Sequence, residues 1–206
     1  MYTQNVTINN EVGLHARPAT FFIQKANEFK SSIWVEVEDR KINAKSLLGV
    51  LSMGITKGTD TTHFSPNGIC TRAQAVTFLW RAAGSPAAKS GAMPFTDVKA
   101  GSYYETAVLW AVENGITKGT TATTFSPEQN CSRAQIVTFL WRSEKSPAAG
   151  TVNPFNDVKA SAYYADAVLW AVKEDVTKGT TNTTFSPEAN CTRAQIVTFI
   201  WRALAE

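Results

Sequence analysis

His15 sits in the string Gly13-Leu14-His15-Ala16-Arg17-Pro18-Ala19, where a strand-like stretch, Gln4–Ile8, gives way to a helical pattern beginning at Arg17. A lone histidine is more often structural than chemical, but this one has a particular setting. An imidazole at a helix start meets free backbone amides and the positive end of the helix dipole, both of which favour a bound phosphate. A neutral imidazole is nucleophilic near physiological pH, so the arrangement suits a phosphohistidine, with Arg17 beside it. The other reactive side chains, Cys70, Cys131 and Cys191, fall 61 and then 60 residues apart. One cysteine per 60 residues supplies no metal-ligand cluster. Each precedes a helix cap, where it is placed to pack on Ala75, Ile136 or Ile196 as a hydrophobic staple.

Residues 1–55 alternate strand and helix signals. Arg17–Phe29 carries Phe21, Phe22, Ala26 and Phe29 at helical spacing, and Pro18 is acceptable in a first helical turn. Ile33–Val37 places Ile33, Val35 and Val37 on one face, with Trp34 and Glu36 on the other. A second helix begins near Ser46 with Leu47, Leu48, Val50 and Leu51 as its apolar face. The order is strand, helix, two strands, helix.

The strings Gly13–Thr20 and Asn43–Ile55 resemble the histidine-containing phosphocarrier family, HPr, of the sugar phosphotransferase system. The resemblance implies an open-faced β-sandwich in the α+β class, with His15 as phospho-acceptor and Arg17 assisting. It implies enzyme I and enzyme II components as partners, and Ser46 as a regulatory site for a dedicated HPr kinase. A phosphate at that helix start suits the dipole while adding repulsive charge to the docking face that follows it. No cofactor is implied. Glu38-Asp39 departs from the usual hairpin turn, and the family's last strand and last helix have no clear match, so the segment is incomplete. Its expected extent is residues 1–55, or up to 83 if Thr59–Ser65 and Thr71–Arg81 replace the missing elements.

From residue 56 the chain repeats. Thr-Lys-Gly-Thr recurs at Thr56, Thr117 and Thr177, and Phe-Ser-Pro at Phe64, Phe125 and Phe185. Phe95–Arg142 aligns with Phe155–Arg202 without a gap at 35 identical positions of 48, which marks a recent duplication. Each full copy reads as two helices joined by a polar loop. In Tyr103–Asn114 a stripe of Ala107, Val108, Trp110, Ala111 and Val112 makes the first, ended by Gly115. Asp175 replaces that glycine in the third copy and tolerates a left-handed turn less well. The second helix starts at a capping box, Thr71–Gln74, Ser132–Gln135 or Thr192–Gln195, and ends in Trp80-Arg81, Trp141-Arg142 or Trp201-Arg202. The tryptophans read as core. Ala82–Met93 and Ser143–Asn153 read as short linkers.

Phe-x-Asp-Val, Tyr-Tyr-x-x-Ala-Val, Gly-Ile-Thr-Lys-Gly, Phe-Ser-Pro and Thr-Arg-Ala-Gln, in that order, resemble the S-layer homology (SLH) module. The resemblance implies an all-α helical-repeat bundle with pseudo-threefold symmetry that binds secondary polymers of the bacterial cell wall, often pyruvylated. It carries a ligand role onto Arg72, Arg133 and Arg193, whose guanidinium forks beside free helix-start amides suit a sugar ketal carboxylate. The opposing reading is an exposed arginine paired with an acid, worth little to stability. Asp97 and Asp157 are candidate caps or arginine partners, and structure is their expected role. Glutamine in place of the family's glutamate keeps the cap and removes three negative charges. The expected extents are 56–83 for a partial first repeat, 94–142 for the second and 154–206 for the third. Counting back 61 residues lays Ser46–Ile55 on Ala107–Ile116, so that one helix serves both modules, with Gly49 where Trp110 stands.

Composition narrows the classes. With 20 Lys+Arg and 17 Asp+Glu the net charge of +3 is too small to predict nucleic-acid binding. No apolar run approaches the ~20 residues that cross a bilayer, and the amino terminus lacks the basic start and apolar stretch of a secretory signal. The chain is therefore expected in the cytosol, or at the envelope if exported, and the two resemblances pull against each other on this point. No Ser-His-Asp set or Gly-rich phosphate loop indicates hydrolysis. Three readings follow: a wall-binding repeat array joined to a phosphocarrier segment, a cytosolic phosphoryl carrier using the repeats as scaffold, and a chimera that retains neither activity.

Overall fold

The computed structural model describes residues 26, 33–37, 40–43, 64–89 and 91–204. Two strands, β1 (Trp34–Val37) and β2 (Arg40–Asn43), pair antiparallel in the register Val37↔Arg40. The expected Ile33–Val37 strand is thus present, and Glu38-Asp39 separates it from its partner. Ala26, within the expected Arg17–Phe29 helix, is helical and buried. The Gln4–Ile8 strand and the helix from Ser46 lie outside the described residues.

Among the described residues five helices follow: α1 (Arg72–Ala82), α2 (Glu105–Glu113), α3 (Arg133–Ser143), α4 (Ala165–Lys173) and α5 (Arg193–Leu204). The homologous helices α1, α3 and α5 pack on one another at the centre; α2 packs on the outside of α1, and α4 on the outside of α3. Each outer helix therefore belongs to one copy and leans on the central helix of the preceding copy.

The central helices begin as expected. Thr71, Ser132 and Thr192 accept from the amides of Gln74, Gln135 and Gln195, whose side chains accept in return from the cap amides. The next two amides of each helix have no partner within it. They donate to the following copy instead: Arg72 and Ala73 to the carbonyls of Gln129 and Pro127, Arg133 and Ala134 to Ala189 and Pro187, Arg193 and Ala194 to Gly68 and Pro66. The third set runs from the last copy back to the first, closing a ring.

A second ring lies inside it. Cys70 N–H donates to the Cys191 carbonyl (2.9 Å), Cys131 to Cys70 (2.8 Å) and Cys191 to Cys131 (2.9 Å). All three thiols are free and fully buried, in the same apolar cluster as Ala75, Ile136 and Ile196. Burial pushes Cys70 up to about 12 and Cys191 to about 11, and raises Cys131 as well.

The outer helices end as the sequence predicts, with Gly115 at φ +68° and Asp175 forced to +54°. Gly119 and Gly179 are required by space: a Cβ on Gly119 would lie 2.4 Å from the Thr124 carbonyl oxygen and 2.6 Å from the Phe95 ring. Trp80 and Trp141 are half-buried and donate from Nε1 to the carbonyls of Pro86 and Pro147, which pins the start of each linker to the helix before it.

Candidate functional site

The three signature arginines are buried, at 3–4% exposure, and each is held in the same way. Arg72 donates from Nε to the Phe125 carbonyl (2.9 Å), Arg133 to Phe185 (2.8 Å) and Arg193 to Phe64 (2.8 Å). Each guanidinium also lies against two phenyl rings. The ring-centroid distances are 4.8 and 5.4 Å at Arg72 (Phe125, Phe139), 4.8 and 5.3 Å at Arg133 (Phe185, Phe199), and 4.9 and 5.0 Å at Arg193 (Phe64, Phe78). Aromatic faces are the cheapest partial replacement for the water a buried cation loses. Burial still lowers all three arginines from their ordinary pKa; Cys131, Tyr163 and Asp97 oppose it at Arg72, and Cys191 and Asp157 at Arg133.

The accepting carbonyls are themselves fixed by acids. Asp97 accepts from the amides of Phe125 (2.8 Å) and Ser126 (2.7 Å), and Asp157 from those of Phe185 (2.8 Å) and Ser186 (2.7 Å). The acids clamp the Phe-Ser-Pro loop, and the loop presents a carbonyl to the arginine. Sequence spacing brought Asp97 and Asp157 to attention as structural, but not this relay. The serine of each loop takes a left-handed conformation, φ 53–57° at Ser65, Ser126 and Ser186.

One expectation needs correction. The helix-start amides beside each arginine are not free for an anion, because the neighbouring copy and the capping box use them. What remains is the guanidinium itself. Arg133 Nη2 lies 3.4 Å from Thr177 Oγ1, whereas Arg72 Nη2 is buried and has no hydrogen-bond partner. Arg72 lines a groove of about 600 Å³ whose walls come from all three copies. The first supplies Arg72; the second supplies Thr117–Thr120 and the Gln135, Thr138 and Arg142 positions of α3; the third supplies Tyr163. Tyr163 is 61% exposed and stacks edge-on against Tyr164 at 5.0 Å. A buried cation, a hydroxyl and amide lining, and an exposed aromatic rim form a surface suited to an anionic sugar.

Thr117–Thr120 and Tyr163 line this groove, although sequence reasoning treated their strings only as motif. Their signal was an exposed aromatic and a lysine recurring at one period. His15, Arg17 and Ser46 lie outside the described residues. Among the described residues no cluster of three potential metal ligands occurs, and no helix is long and apolar enough to cross a membrane.

Comparison with known proteins finds two families along the chain. The family model "PTS HPr component phosphorylation site" matches residues 2–63, and "S-layer homology domain" matches 94–137 and 154–197. The chain is 42% identical over 62 residues to the HPr-like protein Crh of Bacillus subtilis (strain 168), covering 30% of this chain and 73% of that protein. It is equally similar, over 59 residues, to the phosphocarrier protein HPr of Neisseria meningitidis serogroup B, covering 29% of this chain and 66% of that one. Through residues 2–63 this chain belongs to the HPr family, joined in one polypeptide to S-layer homology repeats.

Proposed function

We propose that the repeats hold a secondary polymer of the bacterial cell wall and that the HPr-like segment carries a phosphoryl group on His15. Arg72, Arg133 and Arg193 serve the polymer. The observation that carries this half is the groove at Arg72, where a buried guanidinium keeps one arm without a partner beside an exposed tyrosine. A cation at the wall of a groove draws an anionic ligand by its charge.

In the other half, His15 is charged by enzyme I from phosphoenolpyruvate and discharged to an enzyme II component. Arg17 balances the phosphate, and Ser46 is the site at which an HPr kinase lowers partner docking. The identity with HPr proteins over residues 2–63, which include His15, Arg17 and Ser46, supports this reading. The division we propose is 1–55 for the phosphocarrier segment, in the open-faced β-sandwich class, then 56–83, 94–142 and 154–206 for the repeats. The placement that follows is the envelope for an exported chain and the cytosol for one that meets enzyme I.

Incubation of the full chain with enzyme I and labelled phosphoenolpyruvate tests the carrier half. An acid-labile label lost in His15→Ala supports it, and no label on the unmodified chain overturns it. A labelled chain that does not bind wall polymer is the scaffold reading, and a chain that does neither is the chimera.

A further inference from the structure

The second and third copies are identical at 35 of 48 aligned positions, yet the surroundings of Arg72 and Arg133 are not equivalent. Arg72 Nη2 has no hydrogen-bond partner and Arg133 Nη2 lies 3.4 Å from Thr177 Oγ1, so the two guanidinium arms themselves differ little. Gln129 lines the Arg72 groove, and Ala189 takes its place in the third copy. Lys118 follows Gly115, whereas Lys178 lies 3.9 Å from the carboxylate of Asp175, which occupies the glycine's position. Tyr163 of the next copy walls the Arg72 groove; for the third copy the next in the ring is the first copy, whose sequence before Phe64 contains no Tyr-Tyr pair. Gln195 and Arg202 are exposed, while Gln135 and Arg142 are half-buried.

Three differences act in one direction, through lining, charge and stacking. We infer that the Arg72 groove is the tight anionic-saccharide site and that the Arg133 groove contributes little, although the two copies share one signature. The inference rests on the wall-polymer reading and deepens it by assigning the binding to one groove. It also gives the partial first copy a function, since Arg72 belongs to it.

The test uses the full chain and a purified pyruvate-ketal-bearing wall polysaccharide, with affinity read by titration calorimetry. Lys118 and Lys178 are exposed, as is Tyr163, so their substitution leaves the fold intact. Lys118→Ala and Tyr163→Ala should each weaken binding by on the order of tenfold, by loss of a charged partner and of a stacking face. Lys178→Ala should leave it within about twofold. Arg72→Lys, followed together with its melting curve, should weaken binding more than Arg133→Lys does. Equal losses at Lys118 and Lys178, or a larger loss at Lys178, overturn the assignment while leaving polymer binding in place. No binding by the unmodified chain overturns the wall-polymer reading and the assignment with it.

Discussion

Arg193 and Phe64 stand 129 residues apart and close the molecule: Nε donates to the carbonyl at 2.8 Å, and the guanidinium lies 4.9 Å from the phenyl centroid. The same pair of contacts joins Arg72 to Phe125 and Arg133 to Phe185. A repeat array with this contact only between successive copies would be open-ended. The one between the last copy and the first makes it a ring, and so makes residues 64–82 a working member of it.

Removing the closure should therefore be costly. Arg193→Ala strips a buried cation from two rings and leaves the Phe64 carbonyl without its donor. The expected loss is about 2–4 kcal/mol in urea unfolding with an unchanged slope. Lys178→Ala, on an exposed side chain, should stay within about 0.5 kcal/mol. Similar losses for the two would argue that closure contributes nothing.

Asp97 supports the same contact from behind, since its two oxygens accept the Phe125 and Ser126 amides. Asp97→Ala leaves both amides unpaired, at a cost of about 2–4 kcal/mol. It should also weaken polymer binding, because the Phe125 carbonyl that orients Arg72 is no longer fixed. Calorimetric melting and polymer titration of one preparation check the two effects together.

The three thiols predict a pH dependence. Burial raises Cys70 to about 12 and Cys191 to about 11, so the folded chain keeps protons that the unfolded chain releases. Stability from this source is complete below the unfolded thiol value of about 8.5 and is lost as pH rises from there through the folded values. The melting temperature should fall between about pH 9 and pH 11, less steeply in Cys70→Ala. Iodoacetamide at pH 8 should leave all three cysteines unmodified in the native chain and alkylate all three in denaturant, as mass spectrometry would report.

Asp175 holds a left-handed conformation that its counterpart Gly115 adopts without strain. Asp175→Gly should stabilise the chain by about 0.5–1 kcal/mol, as glycine relieves the strain at a helix end. It also removes the acid beside Lys178, so the affinity of the Arg133 groove should rise. A lower melting temperature in this variant would contradict the account.

Local chemistry was the most legible part of the sequence. The capping boxes, the Gly115 stop and the strand expected over Ile33–Val37 follow from short-range rules, and the structure contains each of them, the strand as Trp34–Val37. The cysteines were read as buried packing groups, and they are. The ring was less legible, because it depends on which copy each helix-start amide reaches. Nothing near Arg72 in the chain points to Gln129 or Phe125. For the same reason the arginines gave the choice of an exposed ion pair or a ligand fork beside free amides, whereas they lie buried between phenyl rings with those amides already used. The groove was illegible for a related reason: its walls come from three copies, and a period search treats the copies as equivalent. The difference between the copies appears only when Gln129, Tyr163 and Arg72 are seen around one cavity.

The central claim is that the ring of repeats binds wall polymer, and co-sedimentation of the full chain with purified cell-wall sacculi tests it most directly. The account predicts that the chain pellets with intact sacculi and stays in the supernatant once their secondary polymer has been stripped. A chain that remains in the supernatant with intact sacculi, or that pellets equally with stripped ones, would contradict it.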